Sequence, residues 1–144
     1  MRFKLETPIN KPRSEVWKIF DNPENMPKWQ PTLIRFETVD GTPGQVGAIS
    51  KLTYKEGERE FILIETITQR NEPNSFDGTY ENNFAENTIQ NRFIEQGPGQ
   101  TLWVIETRFK FKTLLMKIMG NVLKKNYVKR TQRDMTRFKE MLES

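Results

Sequence analysis

A long proline-free stretch near the C-terminus constrains the fold of this chain more than any other feature. From Lys112 to Leu142 it contains no proline and a single glycine, Gly120, so we predict one helix of roughly 45 Å there. Its apolar residues recur at steps of three and four, so they share one helix face. The preceding segments are mostly short and β-like. One long helix beside many strands favours a sheet that curls around the helix.

Seven strands and two short helices are predicted in the remainder, with boundaries at glycine, proline and asparagine. The predicted strands cover residues 2–9, 32–39, 46–54, 59–68, 75–82, 84–95 and 101–111. The short helices cover residues 13–20 and 24–29, and Asn10 is expected to cap the first of them. The 144 residues fit a single domain, residues 1–144.

The absence of cysteine and histidine excludes several classes of site. The chain has no disulfide, no thiolate or imidazole metal ligand and no histidine-dependent catalytic triad. Residues 97–99 form a hairpin turn rather than a nucleotide-binding glycine loop, and no aspartate cluster of the calcium-loop type is present. We therefore expect no metal and no cofactor.

Charge is distributed unevenly along the chain. Residues 108–139 hold eleven basic residues and one acidic residue, Asp134, whereas the rest holds 12 basic and 18 acidic residues. A solvated helix back that complements an acidic sheet explains this pattern. The alternative is a contact surface for an anionic membrane or an acidic protein. Nucleic acid is disfavoured as a partner, because aromatic residues are not interleaved with the basic ones.

The sequence contains no pattern typical of membrane insertion or export. No apolar run approaches the about 18 residues that a transmembrane helix needs. The first six residues alternate in polarity and do not form the apolar core of a signal peptide. We expect a cytoplasmic protein without a transmembrane segment.

Several short motifs, in their order and spacing, resemble those of the SRPBCC superfamily. They are Pro12 with Val16-Trp17, Trp29-Gln30-Pro31, and the segments 44–47, 67–73 and 137–143. The superfamily includes START lipid-transfer domains, aromatic polyketide cyclases and birch-pollen-allergen proteins. The resemblance covers essentially the whole chain. It implies an α+β helix-grip fold, in which a curved seven-stranded antiparallel sheet surrounds a long C-terminal helix and two short helices follow strand one.

The resemblance also implies a cavity between the concave sheet face and the long helix. Its apolar and aromatic lining would be Tyr54, Phe61, Leu63, Tyr80, Phe93, Trp103, Ile105, Phe109, Met119, Leu123 and Tyr127. Asn91 and Thr107 share faces with these residues, so a ligand hydroxyl or carbonyl could satisfy them. The alternative is that these side chains simply pack as core.

Glu65 is the strongest candidate for acid–base chemistry. It shares a strand face with Phe61, Leu63 and Ile67. A salt bridge at the sheet surface is the simpler interpretation, but burial without a partner would raise its pKa and suit it to proton transfer. Tyr80 and Tyr54 are the other weak catalytic candidates. The neighbouring amides Asn82, Asn83, Asn87, Gln90 and Asn91 are expected mainly to face solvent or to act as caps, and the alternative is a polar end of the cavity.

The segment 114–120 is apolar nearly all round. It is expected to pack under the N-terminal helices. Alternatively, Gly120 weakens the helix there, and a mobile helix start could gate the cavity or contact a membrane or a partner.

Three functions follow as hypotheses. The first is binding or transport of a small hydrophobic or amphipathic molecule, such as a lipid, isoprenoid or aromatic metabolite. The second is a cyclase or dehydratase of the polyketide type, in which Glu65, Tyr80 or Tyr54 would handle protons. The third is a co-chaperone-like module that binds a protein partner through the basic helix. Ligand binding without catalysis is the leading hypothesis of the three.

Overall fold

The computed structural model describes residues 1–144 and confirms the predicted order of elements. The β-strands are β1 (Arg2–Ile9), β2 (Leu33–Asp40), β3 (Ile49–Glu56), β4 (Arg59–Asn71), β5 (Ser75–Glu81), β6 (Ala85–Gly97) and β7 (Gln100–Phe111). The helices are α1 (Arg13–Phe20), α2 (Met26–Trp29), α3 (Leu114–Ile118) and α4 (Gly120–Glu143), with a 3₁₀ turn at Pro23–Asn25. Strand β3 begins later than predicted, because Gly44 and Gly47 adopt positive φ in turns before it.

All seven strands form one antiparallel sheet in the order β1-β7-β6-β5-β4-β3-β2. The first strand returns to pair with the last, so that Leu5 lies opposite Ile105 and Thr7 opposite Trp103. Helices α1 and α2 connect the two edge strands, and α4 packs against both β1 and α2. This is the predicted helix-grip architecture, in which the curved sheet holds the C-terminal helix.

The densest core lies where α1, α2 and the C-terminal half of α4 meet the sheet. Its fully packed members are Ile9, Val16, Trp17, Trp29, Phe93, Trp103, Ile105, Met135 and Phe138. The Phe138 ring lies 4.9 Å from that of Trp103 and 5.3 Å from that of Trp29, measured between centroids. Burying each such side chain contributes about 1.5–3 kcal/mol to folding. We call this region the packed end of the molecule.

The C-terminal helix is interrupted once, where a single helix was predicted. Helix α3 starts at a cap in which the Thr113 hydroxyl accepts a hydrogen bond from the Met116 amide, at 3.1 Å. It ends at Met119, whose ψ of 1° leaves the helical range, and α4 starts at Gly120. A Cβ at position 120 would lie 2.9 Å from the Met1 side chain. The glycine therefore permits a close approach that the helix pattern alone does not reveal.

Two further local predictions were wrong. Asn10 does not cap α1, because Pro12 occupies the N-cap position and no side chain caps the helix. Its side chain instead accepts a hydrogen bond from Gln100, at 3.0 Å. The segment 114–120 does not pack under the N-terminal helices, since its apolar side chains are largely exposed apart from Met116. No helix in the chain is long and apolar enough to cross a membrane.

Candidate functional site

A cavity of about 1060 Å³ lies between the concave face of the sheet and helix α4. Alternation along the strands supplies its wall, because every second side chain points to the concave face. These strand residues include Leu52, Tyr54, Phe61, Leu63, Glu65, Ile67, Trp103, Ile105, Thr107 and Phe109. Helix α4 closes the cavity with Leu123, Tyr127, Arg130 and Asp134. We call the end of the molecule around this space and α3 the cavity end.

Eleven of the thirteen predicted ligand-binding residues border this cavity. They are Tyr54, Phe61, Leu63, Tyr80, Asn91, Trp103, Ile105, Thr107, Phe109, Leu123 and Tyr127. Phe93 does not, because its ring is buried at the packed end, 5.0 Å from that of Phe20 and 5.8 Å from that of Trp17. Met119 does not either, because it lies at the helix break and is 40% exposed. A role of the eleven in ligand binding stays a prediction.

Glu65 is buried in the cavity wall, so the prediction that it forms a salt bridge at the sheet surface is wrong. The side chain is 4% exposed and accepts a hydrogen bond from the Tyr80 hydroxyl, at 2.7 Å. The two residues lie directly opposite each other on β4 and β5. Burial raises the pKa of the Glu65 carboxyl, and the Tyr80 hydrogen bond only partly opposes this rise. Burial and the adjacent carboxyl also raise the pKa of Tyr80.

Tyr54 is fixed in a different way from Tyr80. Its hydroxyl donates to Oε1 of Gln30, just after α2, at 3.2 Å, and its ring stacks on Phe61 with centroids 5.2 Å apart. Burial raises the pKa of Tyr54 far above its usual value. The phenol therefore stays protonated at neutral pH and acts as a hydrogen-bond donor rather than as a base.

Asn87 and Asn91, on β6, border the cavity, as predicted for Asn91 from its strand face, whereas Asn87 was expected mainly to face solvent. Asn87 and Asn91 are 4% and 5% exposed. Asn91 is satisfied within the protein, since it accepts from the Trp103 indole at 3.0 Å and donates to the Phe76 carbonyl at 3.2 Å. The signal for Asn87 was present in the sequence, because it stands two residues before Ile89 and four before Asn91.

Two buried oxygens in this wall have no hydrogen-bond partner. They are Oδ1 of Asn87 and the hydroxyl of Thr107. Oε1 of Glu56 is instead ion-paired with Arg130, and the indole nitrogen of Trp29, which also borders the cavity, is a donor without a partner. The Asn87 amide nitrogen donates to the Tyr127 hydroxyl at 3.1 Å, which leaves its oxygen free. Thr107 is opposite Ile89 in the β6–β7 register, so it is diagonal to Asn87 on the same face. Unpartnered buried polar atoms are costly, and a bound molecule with donor groups would satisfy them.

Charged residues join α4 to the β3–β4 hairpin at the border of the cavity. Arg130 forms an ion pair with Glu56 at 2.6 Å, and its guanidinium lies over the rings of Phe61 and Tyr127. Asp134, one turn further along α4, has a pKa raised to about 6 by burial, against the opposing effect of neighbouring arginines. Neither Arg130 nor Asp134 was predicted to belong to the site, because charged residues interrupt the apolar face of the helix.

Two loops and the start of α3 form the border of the cavity. The turn before β3 contributes Pro43 and Gly44, and the β3–β4 hairpin contributes residues 55–57. Around the start of α3 the border is formed by Phe84, Phe111 and Met116. Apolar walls, a few buried polar groups and loops at the border are typical of a binding cavity for a small molecule.

The sequence matches one family model almost completely. This model, described as "Polyketide cyclase / dehydrase and lipid transport", matches residues 1–143. No curated protein matches the chain significantly.

Solved structures with very different sequences share the fold. The Zhui aromatase/cyclase from Streptomyces sp. R1128 has a TM-score of 0.83 at 9% identity, over 99% of this chain and 93% of that one. A START superfamily protein from Mycobacterium smegmatis has a TM-score of 0.79 at 12% identity, over 98% of both chains. The major latex-like protein 151 from Panax ginseng has a TM-score of 0.75 at 14% identity, over 99% of this chain and 97% of that one. Identities this low establish the fold alone.

Proposed function

We propose that this chain, which belongs to the polyketide cyclase, dehydrase and lipid transport family of the SRPBCC superfamily, binds one small amphipathic molecule in the cavity between sheet and helix. The observation that carries the proposal is the cavity of about 1060 Å³ with its largely apolar wall, in which Asn87 Oδ1 and the Thr107 hydroxyl have no partner within the protein. A ligand with a hydroxyl or N–H group at one end would satisfy them. Lipids, isoprenoids and aromatic metabolites with such a group fit this description.

The rest of the wall supports the apolar part of this ligand. The rings of Phe61, Phe109 and Tyr127 line the cavity together with Leu63 and Leu123. Aromatic faces and flexible aliphatic chains accommodate flat or bent apolar molecules. The volume of about 1060 Å³ lies at the upper end of the range for small-molecule sites.

Native mass spectrometry of the purified protein, followed by denaturing extraction, tests this proposal. We expect a stoichiometric adduct after purification or after incubation with lipid and aromatic extracts. Thr107→Val keeps the shape of the side chain but removes its hydroxyl, so it should weaken retention of a hydroxylated ligand several-fold. Thr79→Val is the matched control, because Tyr80 borders the cavity and its neighbour Thr79 points to the other face. A mass without adduct under all conditions would contradict ligand binding.

One observation favours a second candidate, an enzyme of the cyclase or dehydratase type. The Glu65–Tyr80 pair combines a buried carboxyl of raised pKa with a phenol donor in the cavity wall. Such a pair can give a proton to a reacting carbonyl or hydroxyl and take one back. If the chain is an enzyme, Glu65→Gln should abolish turnover while the ligand still binds. If it is only a carrier, the same change should leave ligand uptake nearly unchanged.

Two expectations remain predictions. If a protein partner binds the basic helix, as in a co-chaperone, charge reversal at Lys124, Lys125 and Lys129 should abolish this association without changing the cavity. Cytoplasmic location is the other, and fractionation of cells expressing the tagged chain would test it.

A further inference from the structure

Helix α3 and the start of α4 present an apolar surface to solvent. The exposed fractions are 74% for Leu114, 60% for Leu115, 73% for Ile118, 40% for Met119 and 60% for Val122. We call these five residues the α3 patch. Single exposed apolar side chains are ordinary, but five within nine residues of sequence form a cluster of the kind that marks an interaction surface.

The α3 patch lies beside the cavity. Met116, on the same short helix, lines the cavity, as does Phe111 at the end of β7. Phe84 also lines it and is 51% exposed, and its carbonyl accepts a hydrogen bond from the Lys112 amide at 2.8 Å, just before α3. A surface that covered the α3 patch would therefore lie next to the space in which the ligand is proposed to bind.

Positive charge surrounds the α3 patch. Lys117 and Lys125 are exposed and Lys124 is half-buried, and none of the three has a carboxylate within 4.0 Å. No acidic residue occurs between Glu106 and Asp134. Aliphatic side chains with lysines around them are the composition of surfaces that bind at the interface of anionic membranes.

We propose that the α3 patch docks the protein on an anionic lipid bilayer, with the border of the cavity turned toward the membrane. Leu114, Leu115 and Ile118 would enter the interfacial region while the lysines contact the headgroups. A second copy fits less well, because a two-fold contact through the patch would bring the same lysines of both copies together. Nucleic acid fits less well too, since aliphatic side chains offer no surface for base stacking. The proposal does not depend on the identity of the ligand.

Flotation of the full chain with unilamellar vesicles tests the proposal. One set of vesicles is pure phosphatidylcholine, and the other contains about 30% phosphatidylserine. The variant Leu114→Glu/Ile118→Glu changes two side chains that are 74% and 73% exposed, so its fold should be unaffected. The matched control is Ile34→Glu/Val39→Glu, since these residues are 51% and 60% exposed on β2, the edge strand far from α3. Circular dichroism checks that all variants are folded.

The proposal expects a specific set of results. The wild-type chain should float with anionic vesicles and bind pure phosphatidylcholine at least about tenfold more weakly. Leu114→Glu/Ile118→Glu should lose more than about tenfold in partitioning, whereas the β2 control should lose less than about twofold to threefold, through its added negative charge. Lys117→Gln/Lys125→Gln should lose about tenfold and show a weaker dependence on salt.

Three outcomes would overturn the proposal. The first is an absence of flotation with either vesicle, and the second is an equal loss in the α3 variant and the β2 control. The third is concentration-dependent dimerisation in sedimentation velocity that Leu114→Glu/Ile118→Glu abolishes, without vesicle binding, which would assign the patch to a second copy. Retention of the cavity ligand, measured separately by native mass spectrometry, is expected to be unchanged in the α3 variant, so failure of membrane docking would not be confused with failure of ligand binding.

Discussion

Helix α4 packs differently at its two ends. Met135 and Phe138, toward its C-terminus, are fully buried among the rings of the packed end, whereas Val122, near its N-terminus, is 60% exposed. The remainder of its inner face, including Leu123, borders empty space rather than other side chains. One continuous helix thus takes part both in a close-packed core and in an open cavity. The difference suggests that the packed end supplies most of the stability and leaves the cavity end free to bind.

The largest expected effect is the loss of a ring at the packed end. Phe138→Ala should lower the free energy of unfolding by about 3–5 kcal/mol, because it leaves a cavity among Trp29, Trp103 and their neighbours. Leu123→Ala is the matched truncation at the cavity end and should cost about 1 kcal/mol or less, since its side chain already borders a void. Urea denaturation followed by circular dichroism measures both. Equal losses would show that the cavity end is as closely packed as the other.

Larger side chains should also destabilise the packed end more than the cavity end. Val16→Phe, at a fully buried position in α1, should cost about 1–3 kcal/mol because no space is available for a ring. Leu63→Phe points into the cavity and should change the free energy of unfolding by less than about 0.5 kcal/mol while it reduces ligand retention. Thermal unfolding and native mass spectrometry provide the two readouts. A cavity end that tolerated Leu63→Phe no better than α1 tolerates Val16→Phe would contradict an open cavity.

The sequence predicted the sheet and most of the cavity lining, but neither the break in the C-terminal helix nor the packed end as a separate region. Alternation along β7 placed Trp103, Ile105 and Thr107 on one face correctly, because a period of two is a local property of a strand. The break at Met119 was not predicted, because the apolar spacing continues across it in the sequence. The close approach of Gly120 to Met1 was not predicted either, because it joins opposite ends of the chain. Burial of Glu65 was weighed only as an alternative, because its partner Tyr80 lies on another strand.

The buried carboxyl Glu65 should make stability at the cavity end depend on pH. Its folded-state pKa is raised, so the folded chain retains a proton that the unfolded chain releases, and stability falls as pH rises from the unfolded pKa toward the folded one. Glu65→Gln does not titrate and still accepts the Tyr80 hydrogen bond. It should therefore gain stability relative to the wild type as pH rises above about 4.3. Urea denaturation at several pH values measures this gain, and a difference that stayed constant with pH would contradict it.

The smallest expected effect is a difference in the pH dependence of stability between two carboxyls on α4. Their pKa values shift in opposite directions. Asp134 borders the cavity and its pKa is raised by burial to about 6, whereas the pKa of Glu143, at the packed end, is lowered by hydrogen bonds from Lys139 and Asn10. As pH rises from about 4 to about 6, Asp134 loses its proton at a cost, so Asp134→Asn should gain about 1 kcal/mol relative to the wild type over that window, after allowance for solvent screening.

Glu143→Gln provides the opposite control on the same helix. A lowered pKa means that Glu143 stabilises the fold above its unfolded pKa, and that this contribution is lost as pH falls through the folded pKa. Glu143→Gln should therefore lose stability relative to the wild type as pH rises toward about 4.3, the unfolded pKa of a glutamate. Asp134→Asn should instead gain stability as pH rises from about 4 to about 6. Parallel urea titrations of the two variants show whether the signs differ. If both curves moved in the same direction, burial of Asp134 and the hydrogen bonds to Glu143 would not be the causes that separate the two carboxyls.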